Sequence, residues 1–566
     1  VVAPAAVVLA ADAGSTVTFA DADYAASTTY KGIRIFKATV SSADGATTVS
    51  NIEWASDAAK AAVVAAIKAK DASYTSDNAQ DAADWLSAHA EVTGTDSMVA
   101  SDNVLSLIAA KLNGNDEWKE TTAGNASLSG LEAGYWLFLT ATAGKPDDKS
   151  TDAFTSPVYA VINGASTTTV TPKKGVPTVE KKILDDADAA GTDIKGSKNW
   201  KDVADSQIGQ EVNYRLTGTI ASNYATFSTY AYKFTDVLSG GLDYVGGSVE
   251  VYALNGGTYT TINESKYDVA WANNTLTVEF KVDGTKKGLK DVEGVTADTQ
   301  IVVFYKAKLN GNAVIGNAAE GNKGGNPNTV KLEYSNNPYA EGTGQTIEDT
   351  VADFAFRLNL NKVDQGTEKG LAGAVFTIQS ADANTKDRYV ASKADAAAGV
   401  VAGQLVTVAD ANNLPDYVKF MSNAEGKIAA SGLDAGSYKV TEVQTPDNSK
   451  YTKANPFTFT ITPEYDDVTM KVTSLKAEVS NDDKGRSDIA FGTLDGSAGD
   501  NKLTGTNGTG ANAATGEVTI NVGNTKSVGL PITGLDGVTL TWVAGGAVLV
   551  IGVAHLIRSR REESEE

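Results

Sequence analysis

Short runs in which apolar and polar residues alternate recur along most of the chain, the pattern of half-buried β-strands. Turn-forming Gly, Asn and Asp separate these runs, which lie at 30–40, 135–141, 210–220, 230–238, 276–282, 301–309, 354–363, 374–378, 438–443, 457–461 and 518–522. Helical periodicity occurs in three stretches near the start, at 57–70, 78–92 and 101–112. The pattern predicts a mainly β protein whose first part carries helical insertions.

One linker-like segment and a repeated strand pattern predict three tandem immunoglobulin-like β-sandwich domains. The segment Pro-Lys-Lys-Gly-Val-Pro at 172–177 is expected to be extended, because each proline disfavours helical backbone in the residue before it. We therefore predict a first domain at 14–174, a second at 175–347 and a third at 348–528. The Gly, Asn and Thr residues of 492–516 predict a mobile loop in the third domain.

Both ends of the chain have the composition of targeting segments. Residues 1–13 are apolar and small, and we interpret them as the remnant of a signal peptide. Near the other end, the apolar run 538–557 is long enough for one transmembrane helix, and arginines follow it. Residues 529–566 therefore form a C-terminal anchor. It also contains one pentapeptide, Leu530, Pro531, Ile532, Thr533 and Gly534.

Composition narrows the classes of function. The 566 residues include 70 acidic and 48 basic side chains, and the net charge of -22 argues against nucleic acid as a partner. The chain has no cysteine, and its two histidines are His89 and His555. These few residues could hardly form a His-based catalytic triad or a His/Cys metal site. We therefore expect that the chain is not an enzyme and binds no metal and no cofactor.

Charged and amide side chains continue several rows of apolar residues that face the core. Residues two apart in a strand share a face, so Lys362 continues the row that begins at Phe354. In the same way, Glu442 and Asn524 continue inward rows of later strands. The second domain repeats this order of lysine, acid and amide in Lys181, Asp236 and Asn328. Alternation alone does not choose between Asn326 and Asn328, and no such triple is found in the first domain.

A buried lysine beside a carboxylic acid and an asparagine suits one reaction. Burial favours the neutral amine, which is a nucleophile, and a protonated acid polarises the carboxamide and transfers protons. Loss of ammonia would leave a Lys–Asn isopeptide bond, with Asp236 and Glu442 as the proton relays. The alternative is a buried ion pair, or a lysine whose ammonium reaches water at the strand end.

The anchor resembles the cell-wall sorting signal of Gram-positive surface proteins, through Leu-Pro-Ile-Thr-Gly, the apolar run and the basic residues behind it. This resemblance implies that a sortase cuts between Thr533 and Gly534 and passes Thr533 to an amine. The same resemblance implies a membrane-anchored precursor and a final place in the cell wall, joined to peptidoglycan.

Other motifs are similar to those of sortase-assembled backbone pilins. The segment 436–446 resembles their E-box, although Val443 and Thr445 depart from it. Segments 360–376 and 524–526 resemble the opening and close of a CnaB-type domain. The second domain resembles the CnaA-like fimbrial isopeptide domain through 177–181, 235–242 and 326–336, and that pattern favours Asn328. Residues 14–160 match the pilin N-terminal domain only in outline.

Residues 170–174 resemble the pilin motif whose lysine attacks the sortase acyl-enzyme. Lys173 is the expected nucleophile, with Lys174 as the alternative, because Thr171 and Lys174 depart from the usual Tyr and Asn. The resemblance implies a major fimbrial subunit that supports adhesion, with a pilus-specific sortase, copies of itself and accessory pilins as partners. The host ligand is unknown. A singly anchored adhesin, an accessory pilin and a surface hydrolase are the alternatives.

Overall fold

The computed structural model describes residues 14–43, 46–92, 98–189, 193–317, 323–446, 450–480, 492–497 and 510–526. Strands dominate these residues, which confirms the prediction of a mainly β protein. The helices in them are α1 (Asp57–Lys70), α2 (Ala79–His89), α3 (Val104–Leu112) and the short α4 (Asp186–Ala189). Single turns of 3-10 helix occur at Ile194–Gly196, Tyr224–Thr226, Glu264–Lys266, Leu289–Asp291 and Asp416–Val418.

The first domain has two sheets. Its strands are β1 (Ser15–Phe19), β2 (Thr29–Ala43), β3 (Ala46–Trp54), β4 (Lys119–Glu120), β5 (Ser127–Leu131), β6 (Gly134–Thr142), β7 (Val158–Ile162) and β8 (Thr167–Val170). One sheet has the order β5-β1-β8, and the other has the order β3-β2-β6-β7 with β4 beside β2. The first and last strands, β1 and β8, are parallel neighbours.

The three helices of the first domain lie within the stretches that the sequence predicted. Each begins at a side-chain cap, provided by Ser56, Asn78 and Asn103, whose oxygens accept hydrogen bonds from backbone N–H groups of the first turn. Their apolar faces share one core with residues of β2 and β6, including Ile33 and Leu137. The helices therefore cover one sheet of the domain, as expected for insertions.

The second domain also has two sheets around one core. Its strands are β9 (Val179–Leu184), β10 (Val203–Asp205), β11 (Glu211–Gly218), β12 (Tyr232–Leu238), β13 (Leu242–Tyr244), β14 (Glu250–Asn255), β15 (Thr258–Thr261), β16 (Asp268–Ala272), β17 (Thr275–Phe280), β18 (Gln300–Leu309), β19 (Asn326–Ser335), β20 (Thr343–Gln345) and β21 (Asp349–Phe354). One sheet has the order β10-β21-β19-β12-β17-β16, with β20 on β19. The other has the order β15-β14-β18-β11-β9, with β13 on β18.

Strand β21 connects the second and third domains. It follows the boundary that the sequence predicts at 347/348, yet it hydrogen-bonds to β19 and β10 of the second domain. Its residue Val351 packs in the core of the second domain, whereas Ala352 and Phe354 pack in the core of the third. The sheet of the second domain therefore extends to Phe354, and the side chains of this strand contribute to both cores.

The third domain begins at β22. Its strands are β22 (Phe356–Asp364), β23 (Val375–Ser380), β24 (Tyr389–Val390), β25 (Leu405–Val406), β26 (Phe420–Met421), β27 (Lys427–Leu433), β28 (Gly436–Gln444), β29 (Phe457–Asp466), β30 (Lys471–Ser480), β31 (Gly492–Ser497), β32 (Gly510–Asn512) and β33 (Glu517–Asn524). One sheet has the order β27-β22-β33-β32. The other has the order β25-β24-β23-β28-β29-β30-β31, with β26 on β23.

Strands β31 and β32 correct the prediction of a mobile loop at 492–516. Strand β31 pairs with β30, and β32 pairs with β33. Backbone pairing with existing sheet edges overrides the weak strand preference of Gly, Asn and Thr. Residues 498–509 lie outside the described part of the chain.

Several predicted segments also lie outside the described residues. They are the signal-peptide remnant at 1–13, the pentapeptide Leu530, Pro531, Ile532, Thr533 and Gly534, and the transmembrane run 538–557. Within the residues that are described, no helix has both the length and the apolar character that a membrane crossing requires.

Candidate functional sites

The three predicted residues of the third domain meet in its core. Strands β22 and β33 are parallel neighbours, and Lys362 pairs with Val522 in their register. Asn524 lies two residues further on, and Glu442 reaches the same point from β28 in the facing sheet. The side chains of Lys362 and Glu442 are fully buried, and Asn524 is buried as well.

Hydrogen bonds connect this triple. Lys362 Nζ donates to Asn524 Oδ1. Asn524 Nδ2 donates to Glu442 Oε1 across 3.0 Å, and the same oxygen lies 3.4 Å from Lys362 Nζ. Glu442 Oε2 accepts from the backbone N–H of Ala454 at 2.7 Å. The amine is therefore beside the carboxamide that it would attack, and the acid contacts both groups.

In the second domain, Lys181 on β9 and Asp236 on β12 form a buried pair. Lys181 Nζ is 2.6 Å from both carboxylate oxygens of Asp236, and both side chains are almost completely inaccessible to solvent. Burial lowers the pKa of Lys181 to about 8, although Asp236 opposes the shift, and burial raises the pKa of Asp236. Both shifts favour the neutral forms that the reaction needs.

A tyrosine that the sequence analysis did not single out completes this site. Tyr305 on β18 accepts a hydrogen bond from Lys181 Nζ at 2.9 Å and donates one to Asp236 Oδ2 at 2.5 Å. Asn328 Nδ2 donates to the same hydroxyl at 2.6 Å, and Asn328 Oδ1 is buried without a hydrogen-bond partner among the described residues. Tyr305 lies in a strand buried on both faces, so alternation gave no signal for it.

The structure distinguishes the two asparagines that alternation left open. Asn326 Oδ1 accepts from the N–H of Val314, and its Nδ2 donates to the carbonyls of Val314 and Asp353. Backbone groups therefore bind both the oxygen and the nitrogen of this carboxamide, which connects β19 to the loop at Val314 and to β21. Asn328 instead contacts the hydroxyl that binds Lys181, which supports Asn328 as the reactive residue.

The first domain contains a buried lysine that sequence analysis weighed only as a pilin-motif alternative. Lys174 Nζ lies 2.8 Å from Asp21 Oδ2 and also contacts Asp152 Oδ2. Its side chain is 8% exposed, and those of Asp21 and Asp152 are 9% and 0% exposed. Asp21 and Asp152 lie outside strands, so no periodic pattern marked them.

Lys173 is placed differently from its neighbour. Its backbone N–H donates to Thr155 Oγ1 at 2.7 Å, and its carbonyl accepts from the N–H of Ser156 at 2.7 Å. Its side chain is only half-buried and has no hydrogen bond or ion pair among the described residues. The backbone is therefore fixed while the amine remains available.

Two segments of the chain match protein-family models. Residues 208–338 match "Gram-positive pilin backbone subunit 2, Cna-B-like domain", and residues 356–476 match "SpaA: Prealbumin-like fold domain". These matches confirm the predicted resemblance to Gram-positive backbone pilins. The description of the first model is Cna-B-like, whereas motifs in the second domain suggested the CnaA-like type.

Comparisons over larger parts of the chain find similar individual proteins. The chain is 24% identical over 418 residues to the trypsin-resistant surface T6 protein of Streptococcus pyogenes serotype M6, covering 62% of this chain and 68% of the relative. The structure of the T6 backbone pilin of that serotype is similar in fold, with a TM-score of 0.50, 15% identity and coverage of 92% and 100%. The major pilin SpaD of Corynebacterium diphtheriae has a TM-score of 0.42, 14% identity and coverage of 92% and 98%.

Proposed function

Because the chain carries the domains of a Gram-positive pilus backbone subunit, we propose that a sortase polymerises it into a covalent surface pilus. The bond would join Thr533 of one subunit to Lys173 of the next. Autocatalytic isopeptide bonds, Lys181–Asn328 and Lys362–Asn524, would reinforce the second and third domains. The buried contact of Lys362, Glu442 and Asn524 is the observation that carries this proposal.

The reaction in the third domain follows from those contacts. The neutral amine of Lys362 attacks Cγ of Asn524, and the bond from Cγ to Nδ2 breaks as ammonia leaves. Glu442 hydrogen-bonds to Nδ2, so it is positioned to give a proton to the leaving nitrogen and to receive one from the attacking amine. No cofactor is needed, because burial supplies the neutral nucleophile.

The second domain supports the same chemistry with an added relay. Asp236 contacts Lys181 directly, but the hydroxyl of Tyr305 lies between this pair and Asn328. Proton transfer from the amine to the leaving nitrogen would therefore pass through Tyr305. The carboxamide oxygen of Asn328 has no hydrogen-bond partner among the described residues, and negative charge develops on this oxygen during attack.

The contrast between the two adjacent lysines supports Lys173 as the polymerisation nucleophile. Attack on an acyl-enzyme needs an accessible, uncommitted amine. Lys174 Nζ is held between two carboxylates, whereas Lys173 has a fixed backbone and a half-buried side chain without such partners among the described residues.

This arrangement would give a fibre that resists tension. In a head-to-tail polymer, force enters a subunit at Lys173 and leaves near Thr533, so it crosses the second and third domains. A covalent link between strands near both ends of each domain would transmit that force without unravelling the residues between them. On the chain-entropy model of cross-links, closing a loop of this size also stabilises each domain by about 5 kcal/mol.

The predicted sorting signal supports a location of the fibre at the cell surface. A membrane-anchored precursor would be processed by a pilus-specific sortase, and the last subunit would be joined to peptidoglycan. Accessory pilins would share this assembly, and the fibre would support adhesion. A singly anchored adhesin would keep the isopeptide bonds but would not use Lys173 for polymerisation.

Intact mass of the recombinant chain tests the two isopeptide bonds. The wild-type mass is expected to show the loss of two ammonia molecules, and Glu442→Ala and Asp236→Ala are each expected to regain one. Lys182→Ala, which removes a partly exposed neighbour of Lys181, should keep both losses. If the wild-type mass equalled that of the sequence, the lysines would be in ion pairs only and the isopeptide part of this proposal would fail.

A further inference from the structure

The first domain encloses Lys174 in a set of groups that resembles the reactive site of the second domain. Besides Asp21 and Asp152, Lys174 Nζ lies 3.0 Å from the hydroxyl of Tyr30, which donates to Asp21 Oδ2. Lysine, aspartate and tyrosine hydroxyl are therefore in mutual contact, as they are for Lys181, Asp236 and Tyr305. Neither the sorting reaction nor the two predicted crosslinks uses this set.

The positions of Asp21 and Lys174 match those of Lys362 and Asn524, the pair proposed to be linked in the third domain. Strands β1 and β8 are parallel, with Phe19 opposite Val170, so Asp21 and Lys174 both follow the ends of the first and last strands. In the third domain the first and last strands, β22 and β33, are also parallel neighbours, and their lysine and asparagine meet at the same end. In each domain the acid proposed as proton relay, Asp152 or Glu442, comes from the intervening sequence.

We propose that Lys174 and Asp21 are joined by a Lys–Asp isopeptide bond, with Asp152 as the proton relay. Lys174 Nζ attacks Cγ of Asp21, the bond from Cγ to one carboxyl oxygen breaks, and that oxygen leaves as water. Asp152 takes a proton from the attacking nitrogen and gives one to the departing oxygen. The reaction is redox-neutral and needs no other reactant. The bond goes beyond the proposed function, which requires no crosslink in the first domain.

The two carboxyl groups differ in a way that assigns their roles. Asp152 Oδ1 accepts from the N–H of Ala153 at 2.8 Å, and Oδ2 accepts from Thr28 Oγ1 at 2.6 Å, so this side chain is fixed. Burial raises the pKa of Asp152, although Lys174 opposes the shift, which helps it to exchange protons. Asp21 has described contacts at Oδ2 alone, and its Cγ is beside the amine.

The bond would have a mechanical role. It would attach the residue directly after Lys173 to the segment that follows the first strand of the first domain. Tension applied through Lys173 could then not separate β8 from β1, because their ends would be covalently joined.

Intact mass and tandem mass spectrometry of the full chain test the inference. We expect one water loss in addition to any ammonia losses, and a tryptic crosslinked peptide that contains Asp21 and Lys174. Lys174→Arg should abolish the water loss while keeping a positive charge. Asp21→Asn should replace the loss of water by a loss of ammonia, because the leaving group changes. Asp152→Asn should slow or abolish the reaction, and Lys149→Arg, at an exposed lysine that contacts Asp23, should leave it unchanged.

The outcomes separate this inference from the proposed function. If the chain shows ammonia losses without water loss, the proposed function stands and the Lys174–Asp21 bond is contradicted. Lys174 would then be in an ion pair only. Water loss that persists in Lys174→Arg, or a peptide linking Lys174 to Asp152, would also overturn the assignment. Water loss without ammonia loss would support this bond and contradict the other two.

Discussion

Lys362 and Asn524 lie at the same end of two parallel strands, and the lysine amine donates to the side-chain oxygen of the asparagine inside a core closed to solvent. Their separation along the chain is 162 residues. A bond between them would therefore connect the first and last strands of the domain.

The first prediction concerns the choice of asparagine in the second domain. Asn328→Ala is expected to prevent one of the two ammonia losses, because it removes the carboxamide beside Tyr305 and Lys181. Asn326→Ala is expected to keep both losses, although it removes three backbone contacts and destabilises the domain by about 2 kcal/mol. Intact mass and thermal unfolding distinguish the variants. Retention of both losses in Asn328→Ala would reverse the assignment.

The second prediction concerns Tyr305. Tyr305→Phe keeps the ring but removes the hydroxyl between Asp236 and Asn328, so proton transfer should be interrupted. Ammonia loss in the second domain is expected to slow by roughly 100-fold, a typical effect of losing a proton-transfer group. A time course of mass after synthesis measures it, with loss in the third domain as an internal reference. Tyr232→Phe, whose hydroxyl contacts the carbonyl of Thr219, is the matched control and should not slow the reaction.

The third prediction concerns polymerisation. Lys173→Arg is expected to abolish sortase-dependent ladders on a denaturing gel, because a guanidinium does not act as the amine nucleophile. Lys174→Arg is expected to retain them, since Lys174 is already committed to Asp21 and Asp152. The reverse result would identify Lys174 as the nucleophile. Loss of ladders in both variants would indicate that disruption of the first domain blocks assembly, which unfolding of each variant would reveal.

The fourth prediction concerns a group of aspartates between the second and third domains. Asp205 of β10 accepts from the N–H of Ala435 at 3.0 Å and from the hydroxyl of Tyr465 at 2.6 Å, so it joins the two domains. Burial raises the pKa of Asp185 to about 7, and Asp205 adds to the shift. Burial also raises the pKa of Asp353 and Asp434 well above the usual range.

Raised carboxyl pKa values mean that the folded state binds more protons than the unfolded state. Their contribution to stability is complete below the usual aspartate pKa, and for Asp185 it is lost as pH rises from about 4 to about 7. Raising the pH from about 5 to about 8 should therefore lower the melting temperature, by about 4 °C.

Asp434→Asn should reduce this dependence and raise the melting temperature at the higher pH. Asp416→Asn is the control, because Lys419 lowers the pKa of that exposed carboxyl. Calorimetry at both pH values tests the prediction. A wild-type melting temperature that did not fall with pH would contradict it.

Much of this architecture could be predicted from the sequence. Alternation located strands such as β2, β11, β18 and β22, and helical periodicity located α1 to α3 within a few residues. The same alternation identified Lys181, Asp236, Lys362 and Glu442 as inward-facing, because each belongs to a strand with one buried and one exposed face. Strand alternation and helical periodicity depend on residues that are close together in the chain, so they can be recognised from the sequence alone.

Other features depended on how distant segments meet. Asp21, Asp152 and Lys174 belong to irregular segments that only the packing of the first domain brings together, and Tyr305 lies in a strand buried on both faces. Strand β21 pairs with the second domain and places side chains in the cores of both the second and the third, which no local pattern distinguishes. The sequence by itself determined which side chains are buried on folding. The tertiary structure decided which of them meet, because contact between remote residues depends on strand order and register.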